Sequence, residues 1–207
     1  MLPQEKSYDF WLMINHGVDI KSRKIYLTGE IEQSYTDTCI AAIDYFNSPT
    51  HCPDTFRDPI TVIINSPGGC IDHMFSLYEA IIGSEAEVHT VGTGQVCSAA
   101  SLILACGDKR FVYETTWVMV HKISLELSGH DDEIISGAQV TQKMASRLWQ
   151  CLGRHTKLSA GKWVSLIKKK SEVWMNAADL IERGVVDEII KPKRRQFEPF
   201  SSRNVSV

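Results

Sequence analysis

No stretch of this sequence stays apolar for the ~20 residues that a membrane-spanning helix needs, and no basic start leads into an apolar signal core. The six cysteines (Cys39, Cys52, Cys70, Cys97, Cys106 and Cys151) contain no Cys-x-x-Cys pair. That scatter suits neither a zinc site nor a small disulfide scaffold, and it fits a reducing compartment. Charge of one sign is not in excess: 22 Lys and Arg face 25 Asp and Glu, for a net −3. Such a balance argues against a dominant nucleic-acid or membrane surface. There is no internal repeat and no low-complexity run. With 207 residues, 43% of them hydrophobic and 23% charged, the expectation is one compact core in a soluble, cytoplasmic chain.

What is present is an alternation of strand and helix signals. Lys24 to Gly29 reads as a short strand, and Ser34 to Asn47 has helical spacing through Cys39, Ile43 and Phe46, with Ser34 or Thr36 as a cap. Ile60 to Ile64 is an apolar, β-branched run of the kind covered on both faces. A turn signal follows at Asn65-Ser66-Pro67-Gly68-Gly69, then helical spacing from Ile71 to Ile82. Val88 to Val91 opens a second unit, broken at Gly92-Thr93-Gly94 and continued by a helix from Ser98 to Cys106. Phe111 to Tyr113 and Trp117 to Val120 read as strands. The order is that of an α/β domain with a mainly parallel sheet.

Asp131 to His155 carries the longest helical pattern, with Ile134, Ile135, Ala138, Thr141, Ala145, Leu148 and Leu152 along one side. It is about twice the usual helix length, so part of it should project and meet a partner, most simply a second copy. Ser159 can cap a helix through Lys168, and Asn176 with Asp179 a short helix ending at Gly184, before a last strand from Val185 to Ile190. Near the start, Tyr8 to Ile14 is almost wholly apolar, which fits either a contact surface or a packed first strand.

Two glycine-rich segments follow apolar strands. Neither matches the Gly-Lys-Ser/Thr loop or G-x-G-x-x-G, which disfavours a nucleotide site. The other use of such segments is to present backbone N–H groups to a reacting carbonyl. That chemistry needs a nucleophile and a base. Ser98 is the candidate nucleophile, although a serine at a helix start is ordinarily a cap. His121, at the end of a strand, is the candidate base, since catalytic groups in parallel sheets gather at strand C-termini.

Four segments carry a resemblance: INSPGG at 64–69, GQVCSAA at 94–100, VMVHK at 118–122 and EVWMNAADLIERGVVDEII at 172–190. In order and spacing, from about Ile20 to Ile190, they resemble the proteolytic subunit of the Clp protease, a serine peptidase. The family shows G-Q-A-A-S-M, M-I-H-Q and D-x-F/Y-M-S-A at the corresponding places. The resemblance implies Ser98 as nucleophile, His121 as base, and the N–H groups of Gly69 and Ala99 as oxyanion hole. Glu172 falls where the family has the aspartate that orients the base, and Cys97 where it commonly has alanine; Cys97 reads as small-residue packing. Gly68, Ile123, Ser124 and Leu125 are implied to bind substrate, although 123–128 replaces a proline- and glycine-rich family segment. The N-terminus is also shorter than the family's axial loop, a trait of outlying members, some encoded by bacterial viruses.

The fold so implied is a crotonase-like β-α-β spiral with a projecting strand-helix handle. Its divisions are an N-terminal segment 1–22, a peptidase domain 23–190 with the handle at 122–157, and a basic then polar tail 191–207. The implied activity is endoproteolysis of unfolded polypeptides inside stacked seven-membered rings. A separate AAA+ unfoldase would supply any ATP dependence, with no intrinsic cofactor or metal and no nucleic-acid or membrane partner. The place of work would be the cytoplasm, or the host cytoplasm for a viral chain. Two alternatives stand beside it: a catalytically silent ring subunit, supported by Glu172, and an acyl-CoA enzyme of crotonase fold.

Overall fold

The computed structural model describes residues 4–124 and 128–191. Helix α1 (Gln4–His16) precedes β1 (Val18–Asp19), β2 (Lys24–Ile31) and α2 (Gln33–Asn47). Then come β3 (Ile60–Gly69), α3 (Ile71–Ile82), β4 (Val88–Cys97), α4 (Ala99–Ala105), β5 (Lys109–Tyr113) and β6 (Trp117–His121). The chain closes with α5 (Asp131–His155), α6 (Ala160–Lys169), β7 (Glu172–Met175), α7 (Ala177–Arg183) and β8 (Glu188–Ile190). The mixed α/β class is as the sequence predicts.

The strands form one sheet in the order β1-β2-β3-β4-β5-β8, with β6 branching from β4 and β7 pairing β6. Among the described residues only β1 with β2 and β6 with β7 are antiparallel. The branch explains the glycines at 92–94. β4 pairs β5 through His89–Gly92, then leaves it and pairs β6 through Gln95–Cys97. The change of partner needs a bend, which Gly94 supplies at φ +58°, a value that costs a residue with a Cβ. The expected strand-to-helix turn is therefore a kink inside one ten-residue strand. The same correction applies to Asn65–Gly69, which continues β3 as extended chain with a register shift between Ile64 and Ser66.

The core lies between this sheet and the helices. Ile60, Val62 and Ile64 are fully buried while Thr61 and Ile63 are partly exposed, so β3 is covered on one face rather than on both. All seven residues of α4 are buried, as its sequence, apolar but for Ser101, requires for a helix enclosed on every side. Arg23 is buried with its charge satisfied: the guanidinium donates to the carbonyls of Phe46 and Asp58 and lies 4.8 Å from the Phe46 ring centroid. It pins the 48–59 loop and the end of α2 to β2.

Several local expectations change. The Tyr8 to Ile14 run lies in α1, a helix and not a strand; a short run that is apolar but for Asp9 carries too little period to separate the two. The cap of α2 is Glu32, one position before the helix, and not Ser34 or Thr36. Ser159 and Asn176 do cap their helices, each side chain accepting from the backbone N–H three residues on. Of the stretch 122–128 that the handle's strand is expected to occupy, 125–127 lie outside the described residues, and 122–124 and 128–130 carry no strand.

Candidate active site

The end of β4 sets the site. Cys97 closes the strand and Ser98 is the single residue between it and α4, with φ +55° and ψ −124°. Among the described residues only Arg23 and Ser98 are non-glycine residues at positive φ. This conformation costs roughly 1–3 kcal/mol and persists only where the surroundings enforce it. Here they do: the Ser98 N–H donates to the Met119 carbonyl at 2.7 Å, and the Ser98 carbonyl accepts from Ser101 N–H at 3.0 Å and Ser101 Oγ at 2.6 Å. The Ser98 hydroxyl makes no capping bond. It lies instead 2.7 Å from His121 Nε2, with His121 at the last position of β6. The two residues are 23 apart in sequence and are brought together because β6 pairs the far half of β4.

Gly68 and Gly69 run alongside. Gly68, at φ +100°, donates its N–H to the buried Ser66 Oγ at 3.1 Å, and its Cα packs against the Ser98–Ala99 junction. Ala99 is the first residue of α4, so its N–H has no partner within the helix. Cys97 is buried, and burial raises its thiol pKa, with the Glu172 charge adding to the effect. A thiol held neutral in this way is a poor nucleophile.

Glu172 is the first residue of β7 and stands directly opposite His121 in the antiparallel pair. Its carboxylate nevertheless makes no hydrogen bond or ion pair to the imidazole; Oε2 accepts from the Trp174 indole N–H at 2.9 Å.

A cavity of about 620 Å³ opens beside the serine and histidine. Gly69, Ser98, Ala99, His121, Ile123 and Ser124 line it, and Met74, Val140, Met144, Leu148, Trp149 and Leu152 make much of the rest apolar, with Asp72, Ser101, Ser136 and Thr141 as its polar members. Gly68 backs the site without lining the cavity, and Leu125 lies outside the described residues. The α5 contribution is what sequence reasoning missed. Thr141, Leu148 and Leu152, assigned to a partner-facing side, line this cavity with Val140 and Met144, while Ile134 and Ile135 are exposed. The spacing 137, 140, 141, 144, 148 was visible as a second helical stripe, but nothing local says which stripe meets the body.

A hydroxyl held on an imidazole, with backbone amides at the adjoining helix start, is the arrangement of a nucleophile and its base. The family model for Clp protease matches residues 8–193. The chain belongs to the Clp protease family and is a peptidase of that kind.

Proposed function

We propose that this chain is a serine endopeptidase acting through an acyl-enzyme, with Ser98 as nucleophile and His121 as general base. The observation that carries the reading is the 2.7 Å contact from Ser98 Oγ to His121 Nε2, made by a serine in a strained conformation that forgoes its capping role. As Ser98 Oγ attacks a peptide carbonyl, His121 Nε2 takes its proton and then delivers it to the departing amine. The oxygen of that carbonyl gains negative charge, which the N–H groups of Gly69 and Ala99 stabilise. Water then attacks the ester, with His121 again as base, and Ser98 is regenerated. Glu172 is the acid that orients His121 and stabilises its charged form once the two are in contact. Every group that moves a proton belongs to this chain.

The apolar cavity sets the preference. A large aliphatic or aromatic side chain before the scissile bond gains burial against Met74, Met144 and Leu148. Ile123, Ser124 and Leu125 complete the substrate path, with Gly68 behind it against Ser98, and the polypeptide enters extended. Family membership and the exposed apolar residues of α5 support assembly into stacked heptameric rings, fed by an AAA+ unfoldase in the cytoplasm or host cytoplasm.

A fluorophosphonate tests the reading. It is expected to label Ser98, with the adduct mapped by mass spectrometry. Ser98→Ala should abolish labelling and His121→Ala should slow it by about 100-fold or more. Failure to label Ser98, beside an authentic family peptidase that is labelled, overturns the proposal. One observation favours a second reading, a ring subunit without turnover: Glu172 is bonded to Trp174 and not to His121.

A further inference from the structure

The antiparallel pairing of β6 with β7 gives Glu172 two neighbours on one face of the sheet. His121 lies across the strand pair, and Trp174 lies two residues along β7. Val173 and Met175, which alternate with them, are buried in the core, so Glu172 and Trp174 share the outer face. The carboxylate bonds to one of the two, the Trp174 indole N–H at 2.9 Å, while strand register places His121 directly opposite Glu172. His121 uses Nε2 on Ser98, which leaves Nδ1 as the nitrogen that a carboxylate would have to meet. Trp174 is half exposed at 48%, so burial alone does not account for so large an apolar ring at this place. Its distinguishing chemistry is the N–H donor, which phenylalanine lacks.

We infer that Trp174 is a positioning residue that latches Glu172 away from His121, so that the indole and the imidazole compete for one carboxylate. This rests on the peptidase reading above. With the latch closed, His121 acts as base without an orienting acid. With it open, Glu172 turns across the strand pair and accepts from His121 Nδ1–H, which holds the tautomer that leaves Nε2 free to take the Ser98 proton. The step is a hydrogen-bond exchange: Glu172 loses the indole N–H and gains the imidazole N–H, and no proton changes owner until Ser98 reacts. A hydrogen bond to an ionised group is strong enough to bias such an equilibrium by about tenfold or more.

The test is a double-mutant cycle on the full chain, using a fluorogenic peptide with an apolar residue before the cleaved bond. Trp174→Phe keeps the ring and removes the donor; kcat is expected to rise by roughly tenfold with KM changed little. Glu172→Gln should lower kcat about tenfold more in the Trp174→Phe background than in the presence of Trp174, because only the freed carboxylate reaches His121. Thermal unfolding confirms that each variant is folded. If Trp174→Phe fails to fold, replacing Trp174 by benzothienylalanine, an isostere without the N–H, asks the same question. An unchanged or lowered kcat in the donor-free variant, or equal effects of Glu172→Gln in both backgrounds, overturns the latch. If the unsubstituted chain and the donor-free variant both fail to hydrolyse peptide or react with fluorophosphonate, the peptidase reading falls and the latch with it.

Discussion

Gly68 backs directly onto Ser98. A methyl group at Gly68 would lie 2.6 Å from Ser98 Cβ and 2.7 Å from the Cys97 carbonyl oxygen, closer than real Cβ contacts come. The obstructing atoms, a backbone carbonyl and a Cβ whose place the backbone fixes, sit where β4 ends and cannot swing aside. At φ +100°, any Cβ is also strained by the backbone itself. Gly68→Ala should therefore push Ser98 off His121. Peptide hydrolysis is expected to fall about 100-fold or more, since misplacement of ~1 Å costs that much, and stability by roughly 1–3 kcal/mol. Fluorophosphonate labelling rates and urea unfolding measure the two effects. Gly161→Ala is the control: a Cβ there meets nothing within 4 Å, in the first turn of α6, so stability should rise by about 0.4–1 kcal/mol through the less free unfolded chain, with labelling unaltered.

Ser98 itself allows strain to be separated from chemistry. Ser98→Ala and Ser98→Gly both delete the hydroxyl and its bond to His121, so both should be inactive. They differ in tolerance of φ +55° and ψ −124°. Glycine relieves strain of roughly 1–3 kcal/mol and gives back about 0.5–1 kcal/mol through the freer unfolded chain. The glycine variant is expected to be the more stable of the two by about 1 kcal/mol in urea unfolding. An alanine variant of equal or greater stability would show that the junction holds no strain.

What was legible in the sequence was mostly local. The bounds of α5, the caps at Ser159 and Asn176 and the β-α-β order all follow from periodicity and from side chains that bond within a few residues. The passage of β3 and β4 through their glycines was not legible, because a strand that changes partner part-way is defined by its neighbours. Ser98 and His121 could be nominated from strand ends and a family resemblance, but their contact exists only because β6 pairs the far half of β4. The position of Glu172 opposite His121 likewise comes from strand register, and the Trp174 bond from a choice among rotamers that no spacing encodes.

A second cluster, away from the serine, should make stability depend on pH. His155 ends α5 with Nε2 3.0 Å from the Tyr78 hydroxyl, while Arg110 donates to the His155 carbonyl and pairs with Asp187. Burial, then the positive charges of Arg110 and Arg154, lower the His155 pKa from its ordinary 6.5; Asp108 opposes them. The folded state thus favours neutral imidazole. Its contribution is present above pH 6.5 and is lost as pH falls through the lower folded value. Asp187 is also lowered, mainly by its hydrogen bond from Arg110, so its contribution is lost only further down, below its ordinary 3.8. Tyr78 is pushed up to about 12, chiefly by burial, and stays neutral across this range. Melting temperature should accordingly fall in two steps on acidification. His155→Gln, which keeps a partner for Tyr78, should remove the upper step and leave the lower one.

The projecting part of α5 makes the last prediction, on assembly. Its buried residues are Trp149, Cys151 and Leu152, all towards the C-terminal end. Nearer the start, Ile134, Ile135 and Val140 are 37%, 56% and 47% exposed, and Val140 lines the cavity. The start of the helix is well made in its own right: Asp131, Asp132 and Glu133 suit the positive end of the dipole, and Glu133 bonds back to the His130 N–H. Its exposed isoleucines therefore serve something other than helix formation, and in the proposed ring pair they meet another copy. Leu148→Asp would be a poor probe, because Leu148 lines the cavity and a loss of activity would be ambiguous. Ile135→Asp touches neither cavity nor core. Sedimentation velocity should show the double ring reduced to smaller species, with circular dichroism unchanged. Labelling of Ser98 should fall in step with the loss of assembly if neighbouring copies hold α5 over the site. An assembled chain whose sedimentation is unmoved by this charge would mean that α5 does not join the rings.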